Sequence, residues 1–318
     1  MKSLKNYVKD YIKSYINESV WDIEDNVKND NKGLILDEIK KFMDENYTFE
    51  TNPSSGSYLH TEDSVNAVIK DFKFVPKNGK YVIDVTSEIY ITTNPDIESL
   101  TNEVFEWGDL SKVNFTIESS TNLKSLKGLP KSIDTLRFVD CNITSLSDLS
   151  REVKQLNSII INHCTKLTSL MGMPNTVTEV YLRDVTKLAD LKGISNAVNR
   201  FECENCTKLS SLKGLPGKME DIYIEKCPSM TSLKGAPEDV SGMFMCAKCN
   251  IKNLVGSPRT AAQIRIESCP ELTSLKGAPD KVNIFYCRLN RKLKETKEDV
   301  TTKYKTINMC DNFKGKRK

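Results

Sequence analysis

One phrase recurs along this chain and limits what it can fold into. It reads SLKGLP at Ser125–Pro130, SLMGMP at Ser169–Pro174, DLKGIS at Asp190–Ser195 and SLKGLP again at Ser211–Pro216. It continues as SLKGAP at Ser232–Pro237, NLVGSP at Asn253–Pro258 and SLKGAP at Ser274–Pro279. The anchoring leucines Leu126, Leu146, Leu170, Leu191, Leu212, Leu233, Leu254 and Leu275 are spaced 20, 24 and then 21 residues apart. Leu100 suits the anchor of a degenerate first unit. A near-constant period of this length excludes an ordinary globular topology, because each unit is too short to bury a core except against its neighbours.

The phase inside a unit says what the unit is. In Leu136-Arg-Phe138-Val-Asp-Cys141-Asn-Ile143-Thr-Ser-Leu146 the apolar residues two apart mark a strand with one buried face. Three residues on stands a Cys, followed by two more apolar anchors. The same phase gives Ile159/Ile161/Cys164, Phe201/Cys203/Cys206, Ile222/Ile224/Cys227, Phe244/Cys246/Cys249, Ile264/Ile266/Cys269 and Phe285/Cys287/Asn290, with Val180/Leu182/Val185 carrying Val in place of Cys. This resembles the LxLxxN/CxL pattern of leucine-rich repeats, over roughly two thirds of the chain. The resemblance implies an α+β protein: a leucine-rich-repeat solenoid with parallel strands on its concave face, N-terminal helices and a β-hairpin cap. The repeat phrase is also similar to arrays found in phages and their bacterial hosts. Gly then Pro marks the reversal toward the next strand, and so short a unit predicts an extended or 3₁₀-like convex side.

The cysteines invite a different reading. Cys203-Glu-Asn-Cys206 and Cys246-Ala-Lys-Cys249 together spell CxxC…CxxC, a zinc-site spacing. Phase argues against it. Cys206 and Cys249 share a ladder column with Cys141, Cys164, Cys227, Cys269 and Asn290, whereas Cys203 and Cys246 share the inner strand column with Leu182, Ile224 and Ile266. The two pairs lie two units apart, roughly 10 Å at strand spacing, and tetrahedral thiolates need sulfurs within about 4 Å of one another. Buried structural thiols are expected, with no metal and no cofactor.

The flanks are read as caps. Residues 1–50 form an amphipathic helical segment: Leu4, Tyr7, Val8, Tyr11, Ile12, Tyr15 and Ile16 make one stripe, and Leu34–Tyr47 makes a second helical stretch with Leu34, Ile35, Ile39, Phe42 and Met43. The stripe either packs on the solenoid or offers Tyr7, Tyr11 and Tyr15 to a partner's groove. Residues 51–96 hold a linker signal, Asn52-Pro-Ser-Ser-Gly-Ser, and two alternating strands, Asp71–Val75 and Tyr81–Val85, joined through an Asn-Gly hairpin signal. The solenoid proper runs over 97–293, and 294–318 is a C-terminal cap ending in the basic Lys314-Gly-Lys-Arg-Lys, a solvated terminus or a nucleic-acid contact. The words Lys5-Asn-Tyr-Val-Lys-Asp-Tyr-Ile and Tyr15-Ile-Asn-Glu-Ser resemble N-terminal targeting segments of tailed-phage proteins.

Strand alternation assigns the outward column as Thr116, Arg137, Ile160, Tyr181, Glu202, Tyr223, Met245, Arg265 and Tyr286. Beside it stand Arg183, Arg200, Glu204, Asp221, Glu225, Met243, Gln263, Glu267 and Arg288. Tyr, Met and Arg are interface types, although Tyr also simply suits a strand surface. The candidate partner contacts are Arg137, Tyr181, Arg183, Glu202, Tyr223, Met245, Arg265 and Tyr286. A second row, Lys127, Lys192, Lys213, Lys234 and Lys276, repeats once per unit at the turn. It either meets an anionic partner or keeps the turn edge soluble.

Composition narrows the function. A net charge of +3 does not call for nucleic acid. No apolar run reaches membrane-span length, and the N-terminus lacks a secretory core, so a cytoplasmic protein with reduced thiols is expected; the resemblance to phage arrays implies a bacterial host cell, or the virion, as its place. With two histidines, His60 and His163, and no phosphate loop, GxSxG or metal-helix motif, no catalytic residue is assigned. Bacterial effectors with similar short repeats carry a catalytic cysteine domain; after this array only about 25 residues follow, with a single Cys310. The reading is a non-enzymatic protein-interaction module of unknown partner, with two alternatives: a structural or packaged internal virion protein targeted by its N-terminal helix, or a host-directed adaptor or effector.

Overall fold

The computed structural model describes most of residues 38–50, the segments 72–77, 80–85, 90–93 and 306–309, and nearly all of 97–294. The first amphipathic stripe with Tyr7, Tyr11 and Tyr15, the linker at Asn52 and the basic tail lie outside the described residues.

Among the described residues the chain forms sixteen strands. In chain order these are β1 (Tyr47–Glu50), β2 (Phe72–Lys77), β3 (Lys80–Val85), β4 (Tyr90–Thr93), β5 (Phe105–Trp107), β6 (Asp109–Glu118), β7 (Ser132–Val139) and β8 (Gln155–Asn162). They continue as β9 (Glu179–Arg183), β10 (Arg200–Glu204), β11 (Lys218–Met219), β12 (Asp221–Glu225), β13 (Asp239–Ala247), β14 (Thr260–Glu267), β15 (Lys281–Arg288) and β16 (Thr306–Met309). One sheet of thirteen strands runs β1-β4-β6-β7-β8-β9-β10-β12-β13-β14-β15-β16, with β11 paired to β13. Every pairing in it is parallel except β1 with β4. Consecutive strands of the same direction, one per repeat, define a parallel β-solenoid. Among the described residues helix is sparse: besides helical residues between 38 and 46, there is the turn Leu149–Glu152.

Each turn buries two strand side chains and then a leucine. The first inward column holds Phe115, Phe201, Phe244 and Phe285 and the second holds Phe138, all at 1% exposure or less, and the anchors Leu146, Leu170, Leu191, Leu212, Leu233 and Leu254 are fully buried. Irregular spacings are absorbed locally. The Leu149–Glu152 helical turn takes up the extra length between Leu146 and Leu170, and a register shift between Val240 and Met243 accommodates the longer step into β13.

Two conformational demands explain the recurring phrase. The anchor's neighbour two residues before Lys supplies a side-chain acceptor: Ser125 Oγ, Ser211 Oγ and Ser274 Oγ each accept the N–H of the following Lys at 3.1 Å, as Asp190 Oδ1 does for Lys192 at 3.0 Å. The glycine then turns with positive φ, 92° at Gly193, where an added Cβ would stand 2.5 Å from the Met171 amide nitrogen of the previous turn. Only glycine allows the turns to approach that closely.

The N-terminal end is closed by aromatic packing. Ile39, Met43 and Tyr47 are buried, and the Tyr47 ring meets Trp107 at 5.6 Å and Phe115 at 6.0 Å, while Trp107 meets Phe105 at 5.1 Å, all edge-on. Burial pushes the Tyr47 phenol up to about 12, against the opposing pull of the Trp107 indole. The strands β2 and β3 pair antiparallel, Phe72↔Val85 through Lys77↔Lys80, but they do not continue the solenoid sheet. They form a separate three-stranded sheet by parallel pairing of β3 with β5.

Candidate functional site

The register sets the outward residues side by side. Across successive strands Thr92, Thr116, Arg137, Ile160, Tyr181, Glu202, Tyr223, Met245, Arg265, Tyr286 and Asn308 are direct neighbours. Arg137 is exposed, and Ile160, Tyr181, Glu202, Tyr223, Met245, Arg265 and Tyr286 are half-buried. A flanking column reads Glu118, Val139, Asn162, Arg183, Glu204, Glu225, Ala247, Glu267 and Arg288. Thus all eight of the candidate contacts named from sequence stand on one face of one sheet.

Charges on this face are largely matched within it. Glu204 pairs with Arg183 at 2.8 Å and with Lys226 at 2.6 Å, and these cations, Lys226 first, hold its carboxyl below the usual range. Glu225 pairs with Lys248 at 2.6 Å, Asp221 with Arg200 at 3.6 Å and Glu267 with Arg265 at 2.7 Å. The Tyr181 hydroxyl donates to Glu179 at 3.0 Å; burial, and then this carboxylate, push its phenol up to about 12. Arg288 stacks its guanidinium 5.6 Å from the Tyr286 ring centre.

The thiols lie behind this face. Cys141, Cys164, Cys206, Cys227, Cys249 and Cys269 follow one another in the corner after each strand and are buried, each thiol donating to the carbonyl two residues earlier, from 3.2 Å at Cys141 to 3.7 Å at Cys206. Asn290 ends the series and does more: its amide donates to the Ile266 carbonyl at 3.1 Å and accepts the Cys269 N–H at 2.8 Å. Cys203 and Cys246 occupy the strand column instead, with Cys203 Sγ 3.5 Å from Cys227 Sγ. Burial drives the Cys203 thiol well above its ordinary value, and neighbouring thiols together with burial do the same at Cys246. Among the described residues, no group of three or more His, Cys, Asp or Glu is placed to hold a metal ion.

One column escaped the sequence reading. The residue before each ladder position has positive φ: Ser119, Asp140, His163, Asp184, Asn205, Lys226, Lys248, Ser268 and Leu289. All but Leu289 have polar side chains, with His163 Nε2 3.2 Å from Asp184, and Asn205 donating to Asp184. The Asp, Asn and His residues there, types that tolerate the left-handed region, were its available signal. The lysines Lys127, Lys192, Lys213, Lys234 and Lys276 are all exposed on the turn side.

Fold and face together define the class: a parallel β-solenoid whose long sheet presents a varied polar and aromatic surface. Comparison with protein-family models, with curated proteins and with solved structures gave no match. No helix among the described residues is long and apolar enough to cross a membrane.

Proposed function

We propose that this chain is a leucine-rich-repeat-type, non-enzymatic interaction module that holds a partner protein on the outward face of its long sheet, the face this reading makes concave. One observation carries it: the framework residues of the turns recur, and the residues of the outward face do not. Leu, Gly and Cys recur from turn to turn in the interior and at the corners, whereas the outward column changes through Arg137, Tyr181, Glu202, Tyr223, Met245, Arg265 and Tyr286. A framework constrains the residues that recur; a specific surface is written in those that do not. Half-buried tyrosine, methionine and arginine are the side chains whose remaining area contributes most on docking.

Capture from a bacterial lysate distinguishes this face from the N-terminal stripe. Tyr181→Ala/Tyr223→Ala/Tyr286→Ala should lose partners that the full chain retains, while deletion of residues 1–30 keeps them. The opposite pattern, loss on deletion and retention by the triple variant, overturns the reading. The deletion stops short of Ile39, Met43 and Tyr47, which are buried in the end cap.

A further inference from the structure

At its centre the outward face carries a carboxylate without a partner among the described residues. On β9, β10 and β12, Glu179 accepts the Tyr181 hydroxyl, Glu204 holds Arg183 and Lys226, Asp221 holds Arg200, and Glu225 holds Lys248. Among the described residues, Glu202 has neither a hydrogen bond nor an ion pair to its carboxylate. It is also the half-buried centre of the column, with Tyr181 on one side in the register and Tyr223 on the other.

That surrounding is unfavourable for an anion standing alone. The face of an aromatic ring carries partial negative charge, so two tyrosines repel a carboxylate and attract a cation. At sheet spacing the two tyrosine backbones stand roughly 10 Å apart. A positive group above Glu202 would stand between the two tyrosines, with cation–π attraction open to it where it comes within about 6 Å of a ring centre. The chain's own nearest cations do not pair with Glu202: Arg183 lies 2.8 Å from Glu204, and Arg200 holds Asp221 at 3.6 Å while its charge also acts on the Tyr181 and Tyr223 hydroxyls. Met245 follows Tyr223 in the column and extends an apolar strip on which a methylene stem can lie.

Resting on the interaction reading above, we propose that Glu202, Tyr181 and Tyr223 form a seat for a single arginine or lysine side chain of the partner, so that the partner docks through a basic segment. The cation gains a charge-assisted hydrogen bond to Glu202 and two ring faces, and it removes an unpaired charge from the centre of the sheet.

The test is calorimetric titration of the full chain with N-acetylated, C-amidated tetra-arginine in about 0.1 M salt, where long-range attraction is screened. Tetra-citrulline, which keeps the shape without the charge, is the control ligand. Tetra-arginine should bind and tetra-citrulline should not. Glu202→Gln should weaken binding about tenfold or more, and Glu238→Gln, which removes an exposed carboxylate away from the column, should leave it unchanged. Tyr181→Phe/Tyr223→Phe should retain binding that Tyr181→Leu/Tyr223→Leu loses, with melting curves establishing that each variant is folded. Failure of wild type to bind, equal binding of citrulline, an unaffected Glu202→Gln, or equal weakening by Glu238→Gln overturns the seat. Should Glu202→Gln keep every protein that the triple tyrosine variant loses, the face still binds partners and the cationic seat alone is wrong.

Discussion

At the scale of single residues, the corner after each strand is where the backbone is under most strain. Nine non-glycine residues adopt the left-handed region there, with φ from 48° at Ser119 to 57° at Leu289. Asp, Asn and His bear this well, but Leu289 has a branched apolar side chain that is 67% exposed. The left-handed region costs an ordinary residue roughly 1–2 kcal/mol, so Leu289→Asn should stabilise the chain by about 1 kcal/mol and raise its melting temperature. The converse holds at Gly193, whose missing Cβ lets its turn rest on Met171. Gly193→Ala should cost about 3 kcal/mol by backbone strain and overlap together, seen in denaturant melts. The thiol column and its Asn290 terminus were legible from the phase of the repeat. The corner was not, because Ser, Lys and Leu share it with Asp and Asn and leave no single-letter signature.

At the scale of strands, side-chain alternation fixes what each turn buries, but lateral pairing fixes its electrostatics. Glu204 on β10 lies between Arg183 on β9 and Lys226 at the corner after β12. Its carboxyl is held below the usual value, so the contribution of these pairs is present at neutral pH and is lost as pH falls through the depressed value. Glu204→Gln should therefore lower stability at neutral pH and flatten the dependence of melting temperature on pH below about 4.5, the ordinary carboxyl value. Because the Arg183 and Lys226 ends of these pairs are about half exposed to solvent, the change is small and is best read as a difference between the two pH profiles. The neighbouring Glu202 lacks such pairs although its sequence surroundings look alike, and this contrast is visible only once β9, β10 and β12 are aligned.

For the whole molecule, stability is a sum of turns and of the contacts between adjacent turns, which makes the ends decisive. The aromatic group of Tyr47, Phe105, Trp107 and Phe115 covers the first turn, with Ile39 and Met43 packed into the same core. Tyr47→Ala should expose that turn and cost about 3–5 kcal/mol of local stability. Hydrogen exchange checks it: amides of β4 and β6 should lose protection first, while those of β13, β14 and β15 keep theirs. Uniform loss along the solenoid would show instead that the turns unfold as one unit. The hairpin of β2 and β3 was anticipated from its alternation and Asn-Gly, but its place was not, since β5 is too short to announce itself as its partner.

The sequence by itself determined the period, the inward residues of every turn and the outward column from Arg137 to Tyr286. These follow from alternation along a strand and a repeat of about 21 residues, both properties of local chain geometry. Tertiary structure alone decided which charges meet, which corner residues turn left-handed and how the first turn is covered. Such contacts join residues a full turn or more apart, and their outcome depends on register and close approach between turns. The repeat that opened the sequence thus specifies a scaffold, and the unpaired Glu202 between two tyrosines emerges only when that scaffold is wound.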